Sequence, residues 1–205
     1  MPERNASGRR APVPESSQGG QVLVVGATRI LRPAVTALSE RAVSVTAVAR
    51  SAAGLRELAA EHPGRVTPLA ADVTALDFGS VLRGAAERAP LTGAVVYAPA
   101  VPPAKLAELV GSAVEGPVVV LATSAWAAPP VPGADADGWT PNDLPAAARS
   151  GPASRLLLLG WHEGGSATRW HTPHEISAAA LALLDAPNDR DAVLGAVRPW
   201  SARPR

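Results

Sequence analysis

Residues 21–35 read QVLVVGATRILRPAV, and this stretch decides the fold. Residues 21–25 favour a strand, a Gly-Ala-Thr turn follows at Gly26, and apolar residues then recur at helical spacing. A strand, a glycine turn and a helix in this order open a nucleotide-binding βαβ unit. Arg29 and Arg32 occupy the positions where a Gly-x-x-Gly-x-x-Gly motif beginning at Gly26 has its second and third glycines. The stretch therefore predicts the fold, but the loop that would hold a phosphate is altered.

Strands and helices alternate along nearly the whole chain. The pattern predicts strands over residues 22–25, 43–49, 65–70, 91–97, 118–122, 155–159 and 192–197. It predicts helices over residues 29–41, 52–62, 75–89, 102–114, 141–149 and 173–185. With right-handed crossovers, this order gives an α/β fold: a Rossmann-type, doubly wound, mainly parallel sheet of about seven strands with helices on both faces.

The ends of the chain differ in composition from this alternating part. Residues 1–20 are rich in Pro, Ser, Gly and charges and poor in large apolar residues, which predicts a disordered N-terminal tail. Residues 21–198 are expected to form a single Rossmann-like domain, since 205 residues suffice for one well-buried core. Residues 199–205 are predicted to be a C-terminal tail.

Composition argues against several classes of protein. The chain has no cysteine, which excludes disulfides and a cysteine nucleophile. Its net charge of +1 comes from mixed charges without a basic stripe, so nucleic acid is not expected as a partner. The sequence contains no run of about 18 apolar residues, so no membrane-spanning helix is predicted. The N-terminus has no apolar leader, so a cytoplasmic protein is expected.

Short motifs follow the strand ends in a characteristic order. Gly26-Ala27-Thr28-Arg29 follows the first strand, Ala49-Arg50-Ser51 the second and Asp72-Val73-Thr74 the third. Thr123-Ser124 ends the fifth strand, and Glu175-Ile176-Ser177 begins the last helix. These motifs resemble those of the short-chain dehydrogenase/reductase superfamily, specifically its small atypical members, and the resemblance covers residues 21–198.

The resemblance implies a binding site for NADP(H). The first motif corresponds to the superfamily's nucleotide loop, and Arg50 lies where NADP-preferring members carry an arginine for the 2′-phosphate. The carboxylate of Asp72 corresponds to one that meets the adenine. The cofactor-binding residues predicted in this way are Gly26, Thr28, Arg29, Arg50, Ser51 and Asp72.

The degenerate glycine motif leaves two alternatives open for this cofactor. Glycines let backbone N–H groups approach a pyrophosphate, whereas Ile30 and Arg32 put side chains into that space. This favours a scaffold that has lost its cofactor. A helix N-terminus still attracts anions, and the guanidinium groups of Arg29 and Arg50 add charge-assisted bonds to phosphate. This favours retained NADP(H) binding.

The superfamily's Tyr-x-x-x-Lys motif is absent, because Tyr97 is the only tyrosine and Lys105 the only lysine. Ser124 matches a catalytic serine in the resemblance and can donate a hydrogen bond to a carbonyl. Tyr97 is a candidate replacement for the missing proton donor. His162 beside Glu163 is a candidate acid–base pair, since histidine titrates near neutral pH.

Four tryptophans are predicted to lie on the ligand side of the sheet, namely Trp126, Trp139, Trp161 and Trp170. They can form a pocket for a small apolar or aromatic substrate. Alternatively, they plug a loop-rich edge of the sheet.

His171 and His174 are three residues apart, a spacing found in metal sites. A capping box of Thr172 and Glu175 explains this segment, so no metal is expected.

These observations predict an atypical NADP(H)-dependent reductase that acts on a small apolar carbonyl or imine. One alternative is a non-redox cyclase, isomerase or dehydratase that uses His162 and Glu163. Another is a catalytically inactive Rossmann-type binding protein. The resemblance also allows a homodimer, formed through a sheet edge or a helix face.

Overall fold

The computed structural model describes residues 20–130, 139–149, 154–164, 167–186 and 191–205, so residues 1–19 of the predicted tail lie outside it. The strands are β1 (Gln21–Val25), β2 (Ser44–Ala49), β3 (Val66–Ala70), β4 (Leu91–Val96), β5 (Val118–Thr123), β6 (Ser154–Leu159), β7 (Trp161–Gly164), β8 (Ala167–Trp170) and β9 (Ala192–Leu194). The α-helices are α1 (Arg32–Glu40), α2 (Ala52–Glu61), α3 (Phe78–Arg88), α4 (Pro103–Gly111) and α5 (Pro173–Asp185). None of these described helices is long and apolar enough to cross a membrane.

Seven strands form one sheet in the order β3-β2-β1-β4-β5-β6-β9. Every neighbouring pair in it is parallel. The order runs outward from β1 in both directions, which is the doubly wound arrangement. The predicted Rossmann-type sheet is therefore confirmed.

The helices cover both faces of the sheet, because alternate residues of each strand point to opposite sides. In β1, Val24 packs with apolar residues of α1, α2 and α5. Its neighbours Leu23 and Val25 pack on the other face with residues of α3 and α4. The central strands are buried on both faces, which explains their continuous apolar sequences.

An antiparallel hairpin of β7 and β8 extends from the end of β6. Sequence analysis did not predict these two strands. Each is only four residues long, and their sequences, WHEG and ATRW, show no strand periodicity. Trp161 pairs with Ala196 in an isolated bridge, which joins the hairpin to the segment after β9.

The predicted helix over residues 141–149 is wrong. Two short 3₁₀ turns, Pro141–Asp143 and Ala146–Ala148, occupy this segment. Pro145 lies between them and cannot donate the backbone hydrogen bond that a continuous helix needs, and its ring would clash with the carbonyl of Pro141. The capping box of Thr140 and Asp143 is nevertheless present, so the start signal was correct.

The C-terminal residues predicted as a tail contact the hairpin. Trp200–Ala202 form a 3₁₀ turn, and the hydroxyl of Thr168 on β8 donates a hydrogen bond to the carbonyl of Ala202 at 2.6 Å. The guanidinium carbon of Arg203 lies 4.8 Å from the ring centroid of Trp200. This segment therefore packs against the hairpin.

Candidate functional site

A cleft of about 900 Å³ lies at the carboxyl ends of β1 to β4. This is the edge at which open α/β sheets bind ligands. The loops after the four strands form its walls, and Pro173 at the start of α5 borders it. All six residues that the sequence predicted to bind the cofactor line it: Gly26, Thr28, Arg29, Arg50, Ser51 and Asp72.

The floor of the cleft depends on the close approach of two backbone segments at Gly26. This residue has φ +88°, and a Cβ on it would lie 2.7 Å from the carbonyl oxygen of Tyr97. The N–H of Gly26 donates to the carbonyl of Val48 at 2.9 Å, and the N–H of Tyr97 donates to that of Val25 at 3.0 Å. Only glycine combines this φ with so close a neighbour.

Two exposed arginines give the cleft positive charge. Arg29 and Arg50 both line it, and neither forms an ion pair with a residue in the described part of the chain. Their guanidinium groups are therefore available to an anion. Guanidinium groups favour phosphate because they offer paired N–H donors to its oxygens.

Arg32 does not obstruct the cleft, contrary to the expectation from the altered glycine motif. Its guanidinium instead forms an ion pair with Glu61, the last residue of α2. Ile30 does line the cleft. Its carbonyl also accepts a hydrogen bond from Ser177 of α5 at 3.3 Å, which links the loop to that helix. Of the two side chains predicted to obstruct the cleft, Ile30 lines it and Arg32 does not.

Ser51 caps α2, since its side-chain oxygen accepts a hydrogen bond from the N–H of Gly54 at 3.1 Å. A Cβ on Gly54 would lie only 3.2 Å from a methyl carbon of Thr28. The first turn of α2 can therefore lie directly against the loop that follows β1. Sequence analysis missed Gly54, although an isolated glycine inside a predicted helix is a signal of close packing.

Asp72 forms a compact turn with Thr74 at the end of β3. Its carboxylate accepts hydrogen bonds from the backbone N–H of Thr74 at 2.9 Å and from its hydroxyl at 2.7 Å. These bonds, with a smaller contribution from the charge of Arg50, hold the pKa of Asp72 below its ordinary value of 3.8. The site therefore presents an ionised acceptor beside a guanidinium.

Tyr97 lines the cleft as well, at the end of β4. It is half-buried, and burial raises the pKa of its phenol above the ordinary value of 10.0. The phenol therefore stays protonated at neutral pH and can donate a hydrogen bond. Val101 stands four residues after Tyr97, where a Tyr-x-x-x-Lys motif would have its lysine.

The structure does not bring the other predicted catalytic residues to the cleft. Of the described residues, those that line it include Tyr97 but not Ser124, His162 or Glu163. Ser124 begins a 3₁₀ turn, Ser124–Ala127, and is only 5% exposed. His162 and Glu163 lie on β7 in the hairpin. Tyr97 is thus the one predicted catalytic residue that shares the cleft with the predicted cofactor residues.

The tryptophans build a packed cluster at the far edge of the sheet. Trp161 is completely buried, with edge-to-face contacts to Trp170 at 6.5 Å and Trp200 at 6.0 Å between ring centroids. Trp126 and Trp139 pack against the same cluster. Trp161 therefore cannot form the wall of an open substrate pocket. The described lining of the cleft contains no tryptophan, and a substrate role for Trp126, Trp139 and Trp170 stays a prediction.

Comparison by sequence finds no relative, since no protein-family model and no curated protein matches the chain. Comparison by structure does find similar folds. A short-chain dehydrogenase from Streptomyces avermitilis is 15% identical with a TM-score of 0.61, over 87% of this chain and 89% of that one. A 3-hydroxyacyl-CoA dehydrogenase type-2 from Mycobacterium avium is 17% identical with a TM-score of 0.61, over 88% and 96%.

A third similar structure is a metagenomic short-chain oxidoreductase in complex with NADP. It is 20% identical with a TM-score of 0.59, over 88% of this chain and 98% of that one. The three neighbours share one class of fold, and the match extends over most of each chain. The chain therefore has the fold of the short-chain dehydrogenases/reductases.

Proposed function

We propose that the protein is an atypical member of the short-chain dehydrogenase/reductase superfamily that binds NADP(H) in the cleft and reduces a small apolar carbonyl or imine. One observation carries the proposal: a single cleft gathers Arg29 and Arg50, which form no ion pair within the described part of the chain, with the ionised carboxylate of Asp72. These groups suit a ligand that combines phosphates with an adenine base. One structural neighbour was solved in complex with NADP.

The residues of the cleft fit the phosphates of this cofactor. The N–H groups of Gly26 and Ala27 already donate to the carbonyl of Val48, so side chains would supply the contacts to phosphate. Arg29 and Arg50 would hold the 2′-phosphate by charge-assisted hydrogen bonds. Ser51 can donate a hydrogen bond to phosphate, because among the described residues its oxygen acts as an acceptor, in capping α2.

Asp72 and Tyr97 would act at different parts of the ligand. The carboxylate of Asp72 can accept a hydrogen bond from the amino group of adenine. NADPH, when bound, supplies a hydride. The phenol of Tyr97 would polarise the carbonyl or imine by donating a hydrogen bond and would hold the proton that the reduced product takes up.

A catalytically inactive nucleotide-binding protein is the second candidate. It is favoured by the position of Ser124, which is buried and does not line the cleft, and by the absence of a Tyr-x-x-x-Lys motif from the sequence. Both candidates require nucleotide binding, and they differ in turnover. The non-redox alternative depended on His162 and Glu163, which do not line the cleft either.

Titration of the purified protein with NADPH and with NADH tests the binding. We expect NADPH to bind more tightly and to raise the melting temperature more. Arg50→Ala should weaken NADPH binding much more than NADH binding. Arg56→Ala is a matched control, because Arg56 is an exposed arginine of α2 outside the cleft lining. Absence of saturable binding by either nucleotide would refute the proposal.

Oxidation of NADPH by a panel of small aldehydes, ketones and cyclic imines separates the two candidates. A reductase should oxidise NADPH with at least one of these acceptors, and Tyr97→Phe should lower the rate while leaving the NADPH affinity nearly unchanged. NADPH binding without oxidation by any acceptor would instead support the inactive binding protein.

A further inference from the structure

We propose that His162, His171 and Glu175 bind a divalent transition-metal ion, Zn²⁺ or a cation of similar chemistry. One ligand atom from each residue lies within 4.8 Å of the others. His162 belongs to β7, His171 follows β8 and Glu175 is in the first turn of α5. The sequence pattern suggested pairing His171 with His174, but the structure pairs it with His162 across the hairpin.

The imidazole of His171 supplies the main evidence. Its side chain is only 6% exposed, and neither ring nitrogen has a hydrogen-bond partner among the described residues. A buried nitrogen without a partner is unfavourable, and such groups call for an explanation such as an ion. The distance from Nδ1 to a carboxylate oxygen of Glu175 is 3.6 Å, which is too long for a hydrogen bond.

Contacts on the other side of the ring indicate which nitrogen would bind the ion. A Cβ on Gly195 would lie 2.4 Å from Nε2 of His171, so this nitrogen faces the backbone of the segment after β9. Nδ1 faces Glu175. The carboxylate and Nδ1 are therefore on the same side of the imidazole, where a cation could bridge them.

His162 completes the cluster from the hairpin. Its ring meets that of His171 edge to face, with centroids 5.9 Å apart and an angle of 78° between the planes. His162 is only partly buried, so an ion can reach the cluster from solvent. Two imidazoles and one carboxylate suit Zn²⁺ and related divalent ions, and three protein ligands leave a further position for water or a substrate atom.

The carboxylate of Glu175 is held in place by its neighbours. It accepts hydrogen bonds from both terminal nitrogens of Arg169, at 2.8 and 2.7 Å, and from the N–H and hydroxyl of Thr172, at 2.8 and 3.0 Å. The bonds from Thr172 orient the carboxylate, as hydrogen bonds to metal-binding carboxylates do. Arg169 also competes with the ion for the negative charge, but its half-exposed side chain can move away into solvent.

Titration of the metal-free protein with Zn²⁺ in a calorimeter tests the proposal. We expect one ion per chain, with affinity lowered at least about tenfold by His162→Ala and by His171→Ala. His174→Ala is the matched control, since His174 is an exposed histidine of α5 outside the cluster, and it should bind as the wild type does. Equal affinities for His171→Ala and His174→Ala would overturn the proposal.

Two further measurements keep the test decisive if His171→Ala does not fold. Co²⁺ added to the wild type should give the visible absorption of a four- or five-coordinate ion with imidazole ligands. Arg169→Gln should tighten Zn²⁺ binding, because it removes the competing charge from Glu175. A wild-type protein that binds neither Zn²⁺ nor Co²⁺, or an Arg169→Gln variant that binds more weakly, would contradict the proposal.

Discussion

Gly26 and Tyr97 meet where β1 and β4 end, and the carbonyl oxygen of Tyr97 lies 2.7 Å from the position that a Cβ on Gly26 would take. The two residues are neighbours because β1 and β4 are adjacent parallel strands in register from Val22 with Gly93 to Val25 with Val96. Both residues line the cleft, at the point where the chain reverses its direction of winding through the sheet. Any side chain at position 26 would have to displace backbone.

Gly26→Ala should therefore destabilise the fold more than an ordinary glycine substitution. Positive φ alone costs an alanine roughly 1–3 kcal/mol. Gly64→Ala is the matched control, because Gly64 has φ +73° with nothing within 4 Å of a Cβ. We expect the clash with Tyr97 to add about 1–3 kcal/mol at position 26 alone, measured by urea unfolding. Equal losses in the two variants would show that the loop relaxes around the added methyl group.

Substitutions at Ser51 should separate helix capping from nucleotide binding. Ser51→Asn and Ser51→Asp both retain a good N-cap, so each should unfold at nearly the same urea concentration as the wild type. Ser51→Asp adds a negative charge at the expected phosphate position. It should weaken NADPH binding more than about tenfold relative to Ser51→Asn. Similar NADPH affinities for the two variants would remove Ser51 from the phosphate site.

The architecture could be predicted from the sequence because its signals are local. Apolar runs mark the central strands, and residues such as Ser51 and Thr172 mark helix starts that the structure confirms. The hairpin of β7 and β8 could not be predicted in this way. Its four-residue strands are specified by their pairing and by tertiary contacts, such as the bridge between Trp161 and Ala196.

Some residues of the candidate site could likewise be placed from local sequence, whereas the positions of others depend on tertiary contacts. The six residues predicted to bind the cofactor follow shortly after strands, so the topology alone brings them to one edge, and all of them line the cleft. The positions of Ser124 and His162 depend on how the turn after β5 and the hairpin pack. The direction of the Arg32 side chain depends on Glu61, a partner 29 residues away that no local pattern reveals.

Trp161 should contribute strongly to stability because it is fully buried among other rings. Trp161→Ala should cost about 3–5 kcal/mol in the free energy of unfolding. Trp170→Ala is the comparison, since Trp170 is 44% exposed. This substitution removes chiefly the edge contact with Trp161, so it should lower the free energy of unfolding by only about 0.5–1.5 kcal/mol. Urea unfolding measures both. A small effect at Trp161 would mean that the cluster is loosely packed and could admit a ligand.

The ionisation of Tyr97 should be shifted to higher pH in the folded protein. Since it is the only tyrosine, absorbance of the phenolate reports on it alone. Burial raises its pKa above 10.0, so the midpoint in the native protein should exceed that value, whereas urea should return it to the ordinary value.

The same shift predicts how stability depends on pH at this residue. Below the unfolded-state pKa, both states hold the phenolic proton and Tyr97 has no pH-dependent effect. As the pH rises above the unfolded-state pKa, the unfolded chain loses the proton first. The folded state therefore loses stability relative to the unfolded chain until the pH passes the folded-state pKa. Tyr97→Phe should abolish this part of the alkaline destabilisation. If the variant and the wild type lose stability in parallel above pH 10.0, burial does not raise the pKa of the Tyr97 phenol in the folded protein.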